Sequence, residues 1–195
     1  MNKLFSIITI VKNAENLVHD TIKSILDQSC KDFEYIIIDG NSEDSTLDVI
    51  RNFEYGIEHI SSEDDDGIYH AMNRGKEIAK GDYLIYMNAG DIFANSNVLA
   101  SVKLDLMKHV NAPDVIYGDV ILKSGKNREI QKAIDLKYLY KGMCFCHQSV
   151  FVKNDLTWFD TEYKLAADYK LFLNLYKNKN SFHYLPIPIS IYDTS

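Results

Sequence analysis

Cysteines, long apolar runs and sorting signals are what this chain lacks most clearly. It has 3 cysteines in 195 residues, and a small, odd number argues against a disulfide scaffold and for a reducing compartment. No apolar run reaches the roughly 20 residues that span a bilayer, and the N-terminus lacks the basic and apolar regions of a signal peptide. These absences predict a cytoplasmic protein and leave peripheral contact with a membrane open.

Basic clusters and glycine-rich phosphate loops are missing too. The net charge is -7, from 28 acidic and 21 basic residues, and no Lys/Arg block occurs, which argues against a nucleic-acid groove. Neither G-x-G-x-x-G nor G-x-x-x-x-G-K-[ST] is present, so the common dinucleotide and P-loop sites lose their main support. An acidic protein that binds an anion then needs a metal ion or helix N-termini.

One short run has the composition of a metal site. Cys144-Phe145-Cys146-His147 supplies three potential zinc ligands. Structural zinc sites usually have four ligands, commonly from paired motifs. Because neither a fourth ligand nor a second motif accompanies this run, zinc binding here is disfavoured.

What the chain does have is an alternation of apolar runs and helical patterns, with 46% hydrophobic residues. The predicted strands cover 5–11, 33–38, 57–60, 83–87 and 115–117, and the predicted helices cover 14–26, 45–52, 68–80 and 98–110. Asn13 is expected to cap the first helix and Gly81 to end the third. This alternation predicts an α/β fold with a mostly parallel central sheet flanked by helices.

The second half of the chain is less regular. A hairpin is predicted over 120–130, with Gly125 in its turn, followed by a strand over 149–152 and a helix over 169–176. No internal repeat and no linker rich in Pro, Gly or Ser interrupts the chain. One domain over 1–195, with a mixed second half, is the expected organisation.

Polar clusters directly follow four of the predicted strands. They are Lys12-Asn13, Asp39-Gly40-Asn41-Ser42, the run from Ser61 to Gly67, and Asn88-Ala89-Gly90-Asp91. In an open α/β sheet, ligands bind beyond the carboxyl ends of parallel strands. The four clusters are therefore expected to meet in one crevice.

Asp39 stands at the end of the second predicted strand. A carboxylate there can accept hydrogen bonds from a base or a ribose, and Thr9 and Glu15, near the first strand, could flank the same ring. The alternative is that the cluster from Asp39 to Ser42 is a plain turn, because its residue types are favoured in turns for backbone reasons. The pattern leaves both interpretations open.

Asp91 closes the fourth cluster. A carboxylate at this place could bind Mg²⁺ or Mn²⁺ together with phosphate oxygens, since hard cations prefer oxygen ligands; a turn or a helix cap is the alternative. The acidic run from Glu63 to Asp66 precedes a predicted helix, where negative charge is favourable without any function. On that helix Arg74 could reach a diphosphate or form a surface ion pair.

Asp168 lies just ahead of the last predicted helix, after an apolar stretch. An aspartate in such a setting could act as a general base toward a hydroxyl nucleophile. It could equally be the N-cap of the helix. Spacing alone does not separate these two roles.

Five segments, taken in order, resemble the family 2 glycosyltransferases. They are SIITIVKNAE at 6–15, IIDGNSEDST at 37–46, SEDDDGIYHAMNRG at 62–75, AKGDY at 79–83 and HQ at 147–148. The resemblance is to the bacterial branch that builds capsule, colanic-acid-like or O-antigen polysaccharide. It implies a Rossmann-like GT-A fold, with a nucleotide-binding half over 1–119 and an acceptor-side half over 120–195.

The resemblance also implies roles for individual residues. Nucleotide-binding residues would be Thr9, Glu15, Asp39, Asp65 and Arg74. Asp91 matches the last acidic residue of the family's metal motif, and Asp168 matches its catalytic base. Further contacts with donor or acceptor would come from Tyr69, Asn73, Asn88, His147 and Gln148.

Several positions depart from the family's pattern. Asn88 and Gly90 stand where many relatives carry Asp, and His70 replaces an aspartate that is usual in this branch. The chain ends at Ser195, where relatives typically continue for some tens of residues. The resemblance therefore predicts that an acceptor-side C-terminal segment is absent.

The implied reaction is transfer of a sugar from a nucleotide-sugar donor, a UDP-sugar first of all, to a glycan or lipid-linked acceptor with inversion at the anomeric carbon. Mn²⁺ or Mg²⁺ would stabilise the leaving diphosphate. Two alternatives remain: a nucleotidyltransferase that makes nucleotide sugars, and a sugar-nucleotide-binding protein without catalysis. A nucleotidyltransferase is expected to have a basic, glycine-rich phosphate-binding loop after the first strand, and residues 11–15 do not have that composition. The sequence does not indicate an oligomeric state.

Overall fold

The computed structural model describes residues 3–194, which form one continuous sheet with helices on both faces. The strands are β1 (Phe5–Val11), β2 (Phe33–Asp39), β3 (His59–Ser62), β4 (Tyr83–Tyr86), β5 (Ile92–Phe93), β6 (Val115–Ser124), β7 (Asn127–Gln131), β8 (Val150–Lys153) and β9 (Phe182–Asp193). The α-helices are α1 (Val18–Leu26), α2 (Thr46–Arg51), α3 (Ile68–Ile78), α4 (Val98–Leu106) and α5 (Ala167–Lys177).

The first four strands are parallel and lie in the order β3-β2-β1-β4. Every residue of β1 and β2 is buried, as expected for strands covered on both faces and rich in β-branched residues. In the register, Val11 at the end of β1 lies beside Asp39 at the end of β2, and Asp39 lies beside Ser62 at the end of β3. The first three polar clusters therefore start at the carboxyl-terminal side of the sheet.

Two apolar cores lie on the two faces of this sheet. Ile22 of α1, Ile50 of α2 and Val102 of α4 belong to one core. Met72 of α3 and Phe172 of α5 belong to the other. The apolar positions of each helix thus determine which side of that helix packs against the sheet.

The second half adds antiparallel strands to the parallel ones. β8 pairs antiparallel with both β4 and β6, the predicted hairpin joins β6 to β7, and β6 pairs parallel with β9. The predicted α/β fold with a mixed second half is confirmed. The strand β9 is not predicted by the sequence pattern, because its prolines at 186 and 188 are unusual inside a strand. The β6–β9 register shifts next to Pro188.

Several predicted boundaries are wrong. Asn13 does not cap α1, because this helix begins at Val18 after Leu17. The backbone of Asn13 is left-handed, with φ 49°, and its side chain accepts a hydrogen bond from the loop after β2. Gly81 does not end α3, which stops at Ile78. A Cβ at Gly81 would lie 2.6 Å from the backbone of Phe5, so this glycine permits close contact between two chain segments.

Among the helices formed within residues 3–194, none is long and apolar enough to cross a membrane.

Candidate active site

The loops that follow β1 and β2 are joined by side-chain hydrogen bonds. The backbone N–H of Asn13 donates to Ser42 Oγ at 2.8 Å, and Asn13 Oδ1 accepts from the backbone N–H of Glu43 at 2.8 Å. Glu15 Oε2 accepts from the backbone N–H of Ser45 at 2.9 Å. Glu15, predicted to contact a nucleoside, is thus engaged in holding the second loop against the first.

Asp39 is completely buried at the end of β2. Its Oδ2 accepts hydrogen bonds from the backbone N–H of Ser42 at 3.0 Å and from Ser62 Oγ at 2.6 Å, and its Oδ1 accepts one from Ser42 Oγ. The carboxylate therefore organises the turn and ties β3 to it. The turn interpretation accounts for all of these contacts, and a direct contact of Asp39 with a nucleoside stays a prediction.

Thr9 is not brought to the crevice. Its side chain is fully buried within β1, where Oγ1 donates to the carbonyl of Met87 at 2.7 Å and lies 3.0 Å from Tyr35 Oη. The sequence pattern could not reveal this, because side chains of a strand alternate between faces and the register decides which face is covered.

Asp65 packs across the turn after β2. A Cβ placed on Gly40 would lie 2.5 Å from Asp65 Oδ2, so only glycine permits this approach. Asp65 Oδ1 also accepts from the backbone N–H of Gly67 at 3.0 Å, just before α3. The acidic loop is thereby folded onto the loop after β2, next to the end of β1.

Arg74 is bound to the same acidic loop. Its Nη2 donates to Ser61 Oγ at 2.6 Å and lies 3.5 Å from Glu63 Oε1, with the side chain only 16% exposed. Arg74 therefore fixes the loop that carries Asp65 rather than presenting a free guanidinium to a diphosphate.

Asp91 lines an open crevice of about 480 Å³, together with Asn88 and Gln148. Its side chain is buried, and burial raises its pKa to about 7, against hydrogen bonds from the Gln148 side chain and the Asn88 backbone that lower it. A raised pKa means that the carboxylate lacks a compensating positive charge. A bound cation would supply that charge.

The crevice offers a second oxygen beside this carboxylate. Asn88 Oδ1 is buried and has no hydrogen-bond partner among the described residues. Buried polar atoms are normally satisfied, and carboxylate and amide oxygens are ligands that hard cations accept. The donor set therefore fits Mg²⁺ or Mn²⁺.

Asp168 is not the N-cap of the last helix. α5 begins at Ala167, the capping position is Ala166, and Asp168 lies inside the first turn. Its Oδ1 accepts a hydrogen bond from Tyr69 Oη at 3.0 Å, and its Oδ2 lies 3.5 Å from His147 Nδ1. Ala166 has a left-handed backbone, with φ 63°, and such strain concentrates at functional sites.

His147 faces Asp168 from a mostly buried position. Burial lowers the pKa of this histidine, and the nearby charge of Asp168 opposes that effect. Its other ring nitrogen, Nε2, is buried without a hydrogen-bond partner in the described part of the chain. The imidazole is therefore expected to be neutral at pH 7, with one nitrogen directed toward the carboxylate.

The potential zinc ligands of the run from Cys144 to His147 contact different groups. Cys144 Sγ approaches the carbonyls of Asp135 and Gly142, whereas Cys146 Sγ donates to Gln148 Oε1 at 2.6 Å. His147 instead faces Asp168.

Asn73 was expected to contact donor or acceptor, but both ends of its amide are occupied. Nδ2 donates to the carbonyl of Phe159 at 2.8 Å, and Oδ1 accepts from the N–H of Phe159 at 2.9 Å. The ring of Tyr69 packs on the ring of Phe159, with the two centroids 5.5 Å apart. Asn73 therefore holds the loop that supports Tyr69.

One short segment, Cys146 to Gln148, connects the two acidic groups. Gln148 lines the crevice together with Asp91, and His147 Nδ1 lies 3.5 Å from Asp168 Oδ2. Burial raises the pKa of Cys146 to about 11, with smaller contributions from the charges of both aspartates. His147 and Gln148 are predicted contacts of donor or acceptor. Their position between the two carboxylates depends on the packing of β8 between β4 and β6, which their spacing in the sequence does not indicate.

Comparison with known proteins identifies the family of this chain. The family model described as Glycosyl transferase family 2 matches residues 6–171. The chain belongs to that family. Over 182 residues it is 32% identical to a PGL/p-HBAD biosynthesis glycosyltransferase of Mycobacterium bovis (strain BCG / Pasteur 1173P2), covering 90% of this chain and 70% of the relative. It is 36% identical over 91 residues to the putative teichuronic acid biosynthesis glycosyltransferase TuaG of Bacillus subtilis (strain 168), which is 45% of this chain and 36% of that one.

Solved structures confirm the GT-A fold. TarS of S. aureus, crystallised as residues 1-349 in complex with UDP, superposes with a TM-score of 0.80 at 19% identity. The mannosyltransferase PcManGT of Pyrobaculum calidifontis, in complex with GDP-Man and Mn²⁺, gives 0.74 at 15% identity. Each match covers 98% of this chain, but the chain spans only 60% and 57% of those two chains.

Proposed function

We propose that this protein is an inverting glycosyltransferase that moves a sugar from a UDP-sugar to a hydroxyl group of a glycan or lipid-linked acceptor in surface polysaccharide biosynthesis. The observation that carries the proposal is the pair of carboxylates, Asp91 and Asp168, on either side of the segment from Cys146 to Gln148. Family membership supports glycosyl transfer. The UDP complex of the structurally similar TarS supports the donor class.

Asp91 and Asn88 would hold Mn²⁺ or Mg²⁺. When bound, the cation stabilises negative charge on the diphosphate leaving group. The raised pKa of Asp91 and the unpartnered oxygen of Asn88 support this assignment, as does the Mn²⁺ in the PcManGT complex.

Asp168 acts as the general base. Tyr69 donates to Oδ1 and orients the carboxylate, which leaves Oδ2 to take the proton of the acceptor hydroxyl. The oxygen of the acceptor hydroxyl attacks the anomeric carbon while the bond from that carbon to the nucleoside diphosphate breaks on the opposite face. The configuration at the anomeric carbon therefore inverts. His147, kept neutral by burial, adds no full positive charge that would weaken the base.

The loops after β1, β2 and β3 form the nucleotide side of the site. Asp65 is the residue of this region best placed for a base or ribose, because it is partly exposed and lies over Gly40. Glu15 and Arg74 act through the loops that they hold. A lipid-linked acceptor would bring this cytoplasmic protein to the inner face of the membrane.

A thermal-shift series with UDP, GDP, CDP and dTDP, each with and without Mn²⁺, tests the donor side, because ligands that bind the native state raise Tm. UDP should give the largest shift, and Mn²⁺ should increase it. A larger shift with GDP would replace UDP by GDP in the proposal. No shift with any of the four would contradict nucleotide-sugar binding.

A further inference from the structure

A cluster of two histidines and one aspartate lies at the end of the sheet opposite the crevice. Asp105 is in the last turn of α4, His109 follows four residues later, and His183 is the second residue of β9. His183 pairs with Ile116, near the start of β6. The crevice instead follows the carboxyl end of β4, so the two sites are separate.

The three side chains direct nitrogen and oxygen atoms at one place. Asp105 Oδ2 lies 2.7 Å from His183 Nε2 and 3.4 Å from His109 Nε2, and the three ligand atoms all lie within 4.8 Å of one another. A tetrahedral zinc ion with bonds of about 2.0 to 2.1 Å separates its ligand atoms by roughly 3.3 Å. Both imidazoles are partly exposed, at 28% and 30%, and have room for the small adjustment needed.

One carboxylate oxygen of this cluster lacks an aligned hydrogen-bond donor. Asp105 is only 8% exposed, and its Oδ2 is buried with no hydrogen-bond partner among the described residues. The two histidines lie within ion-pair distance of this oxygen, but a hydrogen bond also requires alignment. The other oxygen, Oδ1, is held by Lys108 Nζ at 3.2 Å, which fixes the carboxylate in place.

We infer that Asp105, His109 and His183 bind a zinc ion that links the end of α4 to the start of β9. Two imidazoles and one carboxylate are ligands typical of Zn²⁺, with the fourth position left to water. The ion would satisfy the buried oxygen and accept the lone pairs of both Nε2 atoms. The cluster lies away from the crevice, so the ion would take no part in sugar transfer.

The test is the Tm of chelator-treated protein near neutral pH, with Zn²⁺ added. At about a hundredfold excess over Kd, Zn²⁺ should raise Tm by about 5 to 10 °C. Bound Co²⁺ should give the strong visible absorption of a low-symmetry, four-coordinate site. The variants His183→Ala and His183→Gln should lose both signals, and melting of their metal-free forms shows whether they are folded.

One control locates the ion. His59→Ala removes an exposed histidine outside the cluster and should keep the full zinc effect. No shift in the wild type, or an equal shift in folded His183→Gln, would overturn the proposal.

Discussion

Replacement of Asp91 by Asn should stabilise the metal-free protein at neutral pH. Burial raises the pKa of this carboxyl group from 3.8 to about 7 in the folded chain. The folded state therefore keeps a proton that the unfolded state has already lost, and stability falls as pH rises between these two values. The asparagine side chain has no such proton, yet its amide oxygen can still accept from Gln148 and from the backbone of Asn88.

The size of the effect follows from the shift. A shift of one pKa unit corresponds to about 1.4 kcal/mol, so the whole shift corresponds to roughly 4 kcal/mol. Relative to Asp91→Asn, the wild type should lose about this much free energy of unfolding between about pH 4 and pH 8. Most of this loss occurs at pH values below the pKa of Asp91 in the folded protein. At higher pH, the difference in free energy of unfolding between the wild type and Asp91→Asn is constant.

Urea unfolding of both proteins in the presence of a chelator, across this pH range, measures the difference. Asp20→Asn is the control, because it removes an exposed carboxylate from the wall of the same crevice. Added Mn²⁺ should stabilise the wild type and not Asp91→Asn. Parallel pH profiles for the wild type and Asp91→Asn would refute the reasoning about burial, and equal stabilisation by Mn²⁺ would remove Asp91 from the metal site.

Two further outcomes are expected. Asp65→Ala should weaken UDP binding about tenfold, through loss of a hydrogen bond to the ligand. Asp66→Ala in the same acidic run should leave the Kd for UDP unchanged. Equal Kd values for both variants in calorimetry would contradict a role for Asp65. Tyr69→Phe removes the hydrogen-bond donor that orients Asp168. The rate of sugar transfer should then fall about tenfold, while the Kd for UDP stays unaltered. An unchanged rate would show that this hydrogen bond does not matter for transfer.

Much of the nucleotide-side fold was predictable because β1 and β2 are buried on both faces. Their short runs, rich in isoleucine and bounded by polar turn residues, favour buried strands, and parallel pairing then brings the ends of these strands to the same side of the sheet. The place of β9 was not predictable in the same way. Its partner β6 precedes it by more than 50 residues of mixed structure, and Pro186 and Pro188 argue locally against a strand.

The site was predictable by residue type but not by contact. Asp91 and Asp168 could be marked from their position and from the family resemblance. Three further features depend on side-chain packing. Thr9 faces the core, Asn73 binds the backbone of Phe159, and Asp168 is not a helix cap. The cluster of Asp105, His109 and His183 joins two distant segments, and a single sequence carries no signal for such a meeting.

The central claim is that Asp168 is the base of an inverting sugar transfer, and transfer by Asp168→Asn tests it most directly. The variant keeps the size of the side chain and removes its basicity, so Tm and UDP affinity should stay as in the wild type. Transfer from UDP-sugars to oligosaccharide or lipid-linked acceptors should fall by roughly 10²-fold or more. NMR of the wild-type product should show the anomeric configuration opposite to that of the donor. Full transfer by Asp168→Asn, or a product with retained configuration, would contradict the account.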